Sequence, residues 1–158
     1  EGLGVTKTVG DLAGPMAFAA LMGTARLIYG KWGHKLHLEK CMLGSSLLCV
    51  AAYLAIALVP NPLLSLVGCA VCGFSVGILW PGTFSKGSAA IPKGGTVMFA
   101  LFALAGDLGC SAGPTLAGMV TRVCDGNMRR GILAGIVFPL LLVLCLVFGK
   151  KRRAAAGN

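Results

Sequence analysis

Residues 41–84 read CMLGSSLLCVAAYLAIALVPNPLLSLVGCAVCGFSVGILWPGTF, without one charged side chain. Pro60-Asn61-Pro62 is a tight-turn signal and divides the stretch into uncharged runs at 41–59 and 62–84. Each run is close to the roughly 20 apolar residues that a helix needs to cross a hydrocarbon core about 30 Å thick. Hydrocarbon offers no partner to a backbone N–H or C=O, so each run must satisfy its own backbone as a helix. The stretch therefore predicts two membrane helices joined by a turn.

Three further runs extend the pattern. Residues 6–29 carry only Lys7, Asp11 and Arg26 as charges, residues 95–120 carry only Asp107, and residues 131–149 carry none. The connectors at 30–40, 86–94 and 121–130 are short and polar, too short for a separate domain. The expected fold is all-α: a polytopic transmembrane bundle of five helices forming a single membrane domain over 1–158. Composition agrees, with 56% apolar residues, 12% charged and a mean hydropathy of +0.85, against about one quarter charged in a soluble domain. Lipid is thus the expected first partner. The chain starts at Glu1 and not at Met, which reads as a fragment of a longer protein.

The net charge of +9 is explained by topology. Short cytoplasmic loops hold the excess of Lys and Arg. With the C-terminus inside, Arg26, Lys31, Lys35, Lys40, Lys86, Lys93, Lys150, Lys151, Arg152 and Arg153 fall on one side, and Lys7, Arg122, Arg129 and Arg130 on the other. The expectation is an integral protein of the cell (plasma) membrane with a cytoplasmic C-terminus, its basic ends drawn to anionic lipid. No basic stripe with interleaved aromatics supports a nucleic-acid partner.

Glycine is frequent, at 24 residues, and its spacing fits close helix packing. The pairs Gly10/Gly14, Gly73/Gly77, Gly109/Gly113 and Gly131/Gly135 each stand four apart. Pro15, Pro114 and Pro139 fall inside helices, where each removes a backbone bond and bends the axis. Such bends serve rocking transporters and static bundles alike.

Asp107 is the most informative side chain. An ionised carboxylate at mid-span costs about 3 kcal/mol or more unless protein or water surrounds it. At 100° per residue it shares a face with Cys110, Ser111 and Pro114, while Gly106, Gly109, Gly113 and Ala117 form a neighbouring stripe suited to packing. Two readings stay open: a proton or cation carrier lining a cavity with Ser111, or a neutral carboxyl hydrogen-bonded to another helix. Asp11, a further candidate for ion coupling or a cavity and otherwise a solvated helix-end carboxylate, stands near the outer end of its helix, in a Gly10-Asp11-Leu12 that echoes Gly106-Asp107-Leu108. Of the seven cysteines, Cys41, Cys49, Cys69, Cys72, Cys110 and Cys145 fall inside predicted helices and read as small buried thiols, with Cys124 in an outer loop; Cys69 and Cys72 lack the second pair and the His partner that a zinc site needs. No catalytic set assembles on one side of the membrane, so neither an enzyme, a metal nor a cofactor is expected.

The segment Arg26-Leu-Ile-Tyr-Gly30-Lys31-Trp-Gly33-His34-Lys35 resembles the cytoplasmic signature loop of the major facilitator superfamily, Gly-x-Leu-x-Asp-Arg-x-Gly-Arg-Arg. Lys31, Gly33, His34 and Lys35 fit its basic and glycine positions, while Arg26 replaces its first glycine and Gly30 its acidic residue. Residues 109–118 resemble the Gly-x-x-x-Gly-Pro element of the same family, on Gly109, Gly113 and Pro114. The layout from Trp80-Pro81 through Gly94-Gly95 to Gly113-Pro114 is similar to fucose-permease-like sugar transporters. The resemblance implies helices eight to twelve of a twelve-helix protein whose two halves rock about a central site. It also implies an absent N-terminal half as partner, and a small polar solute, a sugar among the candidates, coupled to protons or sodium. A membrane scaffold or assembly protein is the alternative, and the membrane subunit of an ATP-driven importer a second one.

Overall fold

A computed structural model describes residues 7–33 and 37–156. The described residues form helices and short turns, with no strand. In chain order the helices are α1 (Lys7–Trp32), α2 (Leu38–Leu58), α3 (Pro62–Ala90), α4 (Gly95–Val123), α5 (Met128–Gly135) and α6 (Val137–Ala156). Five spans are long and apolar enough to cross a membrane, with α5 and the first part of α6 sharing the fifth. The chain is an all-α helical bundle with the character of an integral membrane protein.

Local chemistry explains the boundaries. Val59 precedes a proline and is extended (φ −99°, ψ 118°), as the clash with a following proline ring demands. Asn61 then caps α3: its Oδ1 accepts from the N–H of Leu63 at 3.0 Å and of Leu64 at 3.4 Å, and Pro62 occupies a position where no helical donor is missed. Past α4, Asp125 (φ 55°) and Gly126 (φ 79°) take left-handed conformations, and the Gly126 N–H returns to the Thr121 carbonyl at 2.9 Å. Asn127 caps α5 through a 3.1 Å bond from the Arg129 N–H.

The last span, expected as one helix over 131–149, is broken at Ile136. Pro139 has no N–H for the carbonyl of Gly135, and its ring crowds that group. The Ile136 N–H bonds back to Leu133 at 3.1 Å and helical pairing resumes from Leu140 to Ile136. Helix α3 continues past Phe84 through Lys86 to Ala90, and α1 continues past Tyr29 to Trp32.

Neighbour order follows from the contacts. Helix α3 packs on α1 and α2, α2 also packs on α5 and α6, and α4 packs its backbone mainly against α5. Gly73 meets Phe18, and Gly77 meets Met22 and Ala25, so α1 and α3 run parallel. Gly68 meets Ile56 and Gly82 meets Met42, so α2 is antiparallel to them. Alternating direction gathers Lys31, Lys40, Lys86 and Lys93 at one end of the bundle, where Lys86 Nζ pairs with Glu39 at 2.7 Å. Arg122, Arg129 and Arg130 lie toward the other end. A surface pair of this kind contributes at most about 1 kcal/mol.

Candidate functional site: the open face of α4

Helix α4 carries the site because its sequence is apolar enough to span and yet interrupted by Asp107, Ser111 and four glycines. Only 6% of its most apolar stretch is buried, against 33% of α3, and Met98 is its only buried residue. Asp107 lies about 18 Å along the axis from Gly95 and about 24 Å from Val123. Its side chain is exposed on a face that no other described helix covers. It joins no ion pair and no side-chain hydrogen bond among the described residues.

Ser111 stands one turn on, as the face pattern requires, but its hydroxyl donates to the main-chain carbonyl of Asp107 at 3.0 Å. Thr115 repeats the pattern, donating to the Ser111 carbonyl at 2.7 Å. Both hydroxyls have thus found a partner within their own helix and turn their oxygen lone pairs outward. Pro114 sits inside α4 and Pro15 inside α1.

The expected packing stripe divides. A Cβ on Gly106 would stand 3.7 Å from Nε1 of Trp80, whereas nothing lies within 4 Å of such an atom on Gly109 or Gly113. The packing expected of Gly109 and Gly113 is therefore not made within the described chain. The reason is the neighbour order: α4 meets α5 only at the C-terminal end of the stripe, through Ala117 and the following turn at Thr121, against Gly131. Close backbone contact occurs instead at Gly73 and Gly77 on α3.

Asp11 is likewise exposed on α1, about 6 Å from the first helical residue, and Gly10 and Gly14 have no neighbour within Cβ range. Asp11 and Asp107 are not brought together, since they stand at different levels of helices that do not pack on each other. The signature-like segment is helical through Trp32 and not a loop from Gly30. Within it Arg26 is exposed, with a guanidinium nitrogen 3.8 Å from Sδ of Met22. Lys31 Nζ stands 5.2 Å from the ring centroid of Trp32, Gly30 has open surroundings and Gly33 faces the ring of Tyr29. His34 and Lys35 lie outside the described residues.

Cysteine placement is mixed. Cys49 and Cys72 are buried between α2 and α3 with sulfurs 3.8 Å apart, and Cys69 reaches the Gly14 carbonyl at 3.7 Å. Cys110 and Cys145 are exposed. Among the described residues no three His, Cys, Asp or Glu side chains converge on a point that could hold a metal.

One participant escaped the sequence reading. Trp80 is 54% exposed, lies against Phe84 at 4.1 Å between centroids with the rings tilted by 37°, and meets Gly106, the residue before Asp107. Comparison with family models, curated proteins and solved structures returns no match.

Proposed function

We propose that the chain is the C-terminal portion of a secondary transporter of the major facilitator type. In this reading it moves a small polar solute by alternating access, with Asp107 taking part in ion coupling. The plasma membrane and a cytoplasmic C-terminus complete the proposal, the latter supported by the gathering of basic residues at one end of the bundle. One observation carries the reading: a carboxylate at mid-span, on a helix face that nothing in the described chain covers. Lipid on that face would leave the charge without water or partner, at a cost of about 3 kcal/mol or more. A water-filled cavity between two halves of a transporter removes that cost and gives the carboxylate work. A scaffold would need neither Asp107 nor an open face around it.

The test is uphill solute accumulation by the full-length protein in proteoliposomes. With Asp107→Asn, accumulation against a gradient should fall at least tenfold, while exchange of solute across the membrane persists. Unchanged uphill uptake by Asp107→Asn would end the coupling role.

A further inference from the structure

From the turn at 91–94, α3 and α4 run back side by side, antiparallel, with an aromatic series between them. The ring of Phe102 lies against Gly87. Phe84 stands 5.6 Å from Phe99 and 5.5 Å from Phe102, and Trp80 follows at 4.1 Å from Phe84. The series ends where the indole nitrogen of Trp80 meets Gly106. Trp80 lies about 15 Å from the end of α3, and Asp107 about 18 Å from the start of α4. Trp80 and Asp107 therefore stand at about one level, with Asp107 100° around α4 from the Gly106 that the indole meets. The indole N–H donates to no described group, and Trp80 as a residue is about half exposed.

The chemistry of the surroundings selects the occupant. Lipid tails would cover the rings but strand the carboxylate; water would do the reverse. A sugar needs several hydrogen-bonding groups, yet the donors of the neighbouring hydroxyls are already engaged, Thr83 with the Leu79 carbonyl and Ser111 with that of Asp107. The other members of the series are Phe84, Phe99, Phe102, Gly87 and Gly106, none with a side-chain hydrogen-bonding group. No described cation neutralises the carboxylate at this level. Lys86 on α3 is bound to Glu39, and Arg129 and Arg130 on α5 stand beside the last turns of α4, near Thr121 and about 20 Å along the axis from Asp107.

We infer that Trp80 and Asp107 form a recognition site for an organic cation, a quaternary or protonated amine on an apolar body. The positive charge faces both the indole π-system and the carboxylate, two attractions that strengthen where water is excluded. The apolar body covers the rings. This inference rests on the transport reading and narrows its solute from a neutral sugar to a cation.

Tritiated tetraphenylphosphonium binding to the full-length protein in nanodiscs tests it, with each variant first shown to be monodisperse. Binding should weaken roughly tenfold for Trp80→Ala, as expected for the loss of a desolvated cation–π contact, and at least as much for Asp107→Asn. Trp80→Phe, which keeps a ring, should stay within about threefold of wild type. Neutral triphenylphosphine oxide and hexoses should not compete. Equal binding by wild type and Asp107→Asn, indifference to Trp80→Ala, or competition by a neutral hexose would each overturn the cation site. Uphill movement of another solute by a protein that does not bind the cation would sink this inference and leave the transport reading standing. Cation binding with the predicted pattern, in a protein that moves no solute under any gradient, would do the opposite.

Discussion

In α3, Gly73 and Gly77 stand four residues apart and meet the backbone of α1 at Phe18 and Met22; in α4, Gly109 and Gly113 stand four apart and meet nothing within Cβ range. Polar residues divide the same way. Ser75 on α3 and Ser46 on α2 are fully buried, each hydroxyl 2.8 Å from a carbonyl of its own helix. Asp107 on α4 is exposed and has no such partner. Lipid supplies no hydrophobic drive between helices, so backbones that approach through glycine must hold by dispersion and weak polar contacts. The α1/α3 contact does this and is complete in itself. The face of α4 has the same small residues together with a carboxylate, and in the proposed reading it is a surface for something other than lipid.

The strongest way to break that contrast is to enlarge a side chain at the closed contact. Leu at Gly73 would drive its first carbon into the main chain of Phe18, a neighbour that cannot rotate away. Overpacking of this kind costs about 3 kcal/mol or more, so Gly73→Leu should abolish the folded, monodisperse fraction on size exclusion in mild detergent. A normal yield of Gly73→Leu would show that α1 and α3 do not meet as described. Gly109→Leu is the matching change on the open face and should alter bundle stability by less than about 0.5 kcal/mol, read as an unchanged melting temperature of the purified chain. A loss comparable to that of Gly73→Leu would place a helix against α4 and remove the contrast.

These two variants also mark what could be read from the sequence. Five spans were legible because length, charge exclusion and the Pro60-Asn61-Pro62 turn are local properties. The capping oxygen of Asn61 and the extended Val59 follow from adjacent residues alone. The break at Ile136 was half legible: Pro139 announced a bend, but its position depended on which carbonyls could find new donors. Four glycine pairs look equivalent, yet only those on α3 and α5 have a neighbour within Cβ range, since spacing gives the stripe and only neighbour order gives its partner. In the sequence Trp80 marks a layout and no chemistry. A Trp in an apolar run resembles any core ring until α4 brings Gly106 and Asp107 beside it. The Lys86–Glu39 pair was invisible for the same reason, joining residues far apart in sequence across the α2/α3 contact.

Three native cysteines sample three environments and give the most direct measurement of the central claim, that the open face of α4 looks onto water and not lipid. Cys72 is buried in the α2/α3 contact, Cys145 is exposed on α6, and Cys110 is exposed on α4 on the face of Asp107. Each should be restored singly in a cysteine-free full-length protein in membranes and treated with a charged, lipid-insoluble methanethiosulfonate, which reacts only where water reaches the thiol. Labelling of Cys110 at least tenfold faster than of Cys72 and Cys145 is the predicted result. Cys110 as inert as Cys145 would mean that this face meets lipid or a dry partner, and would contradict the account.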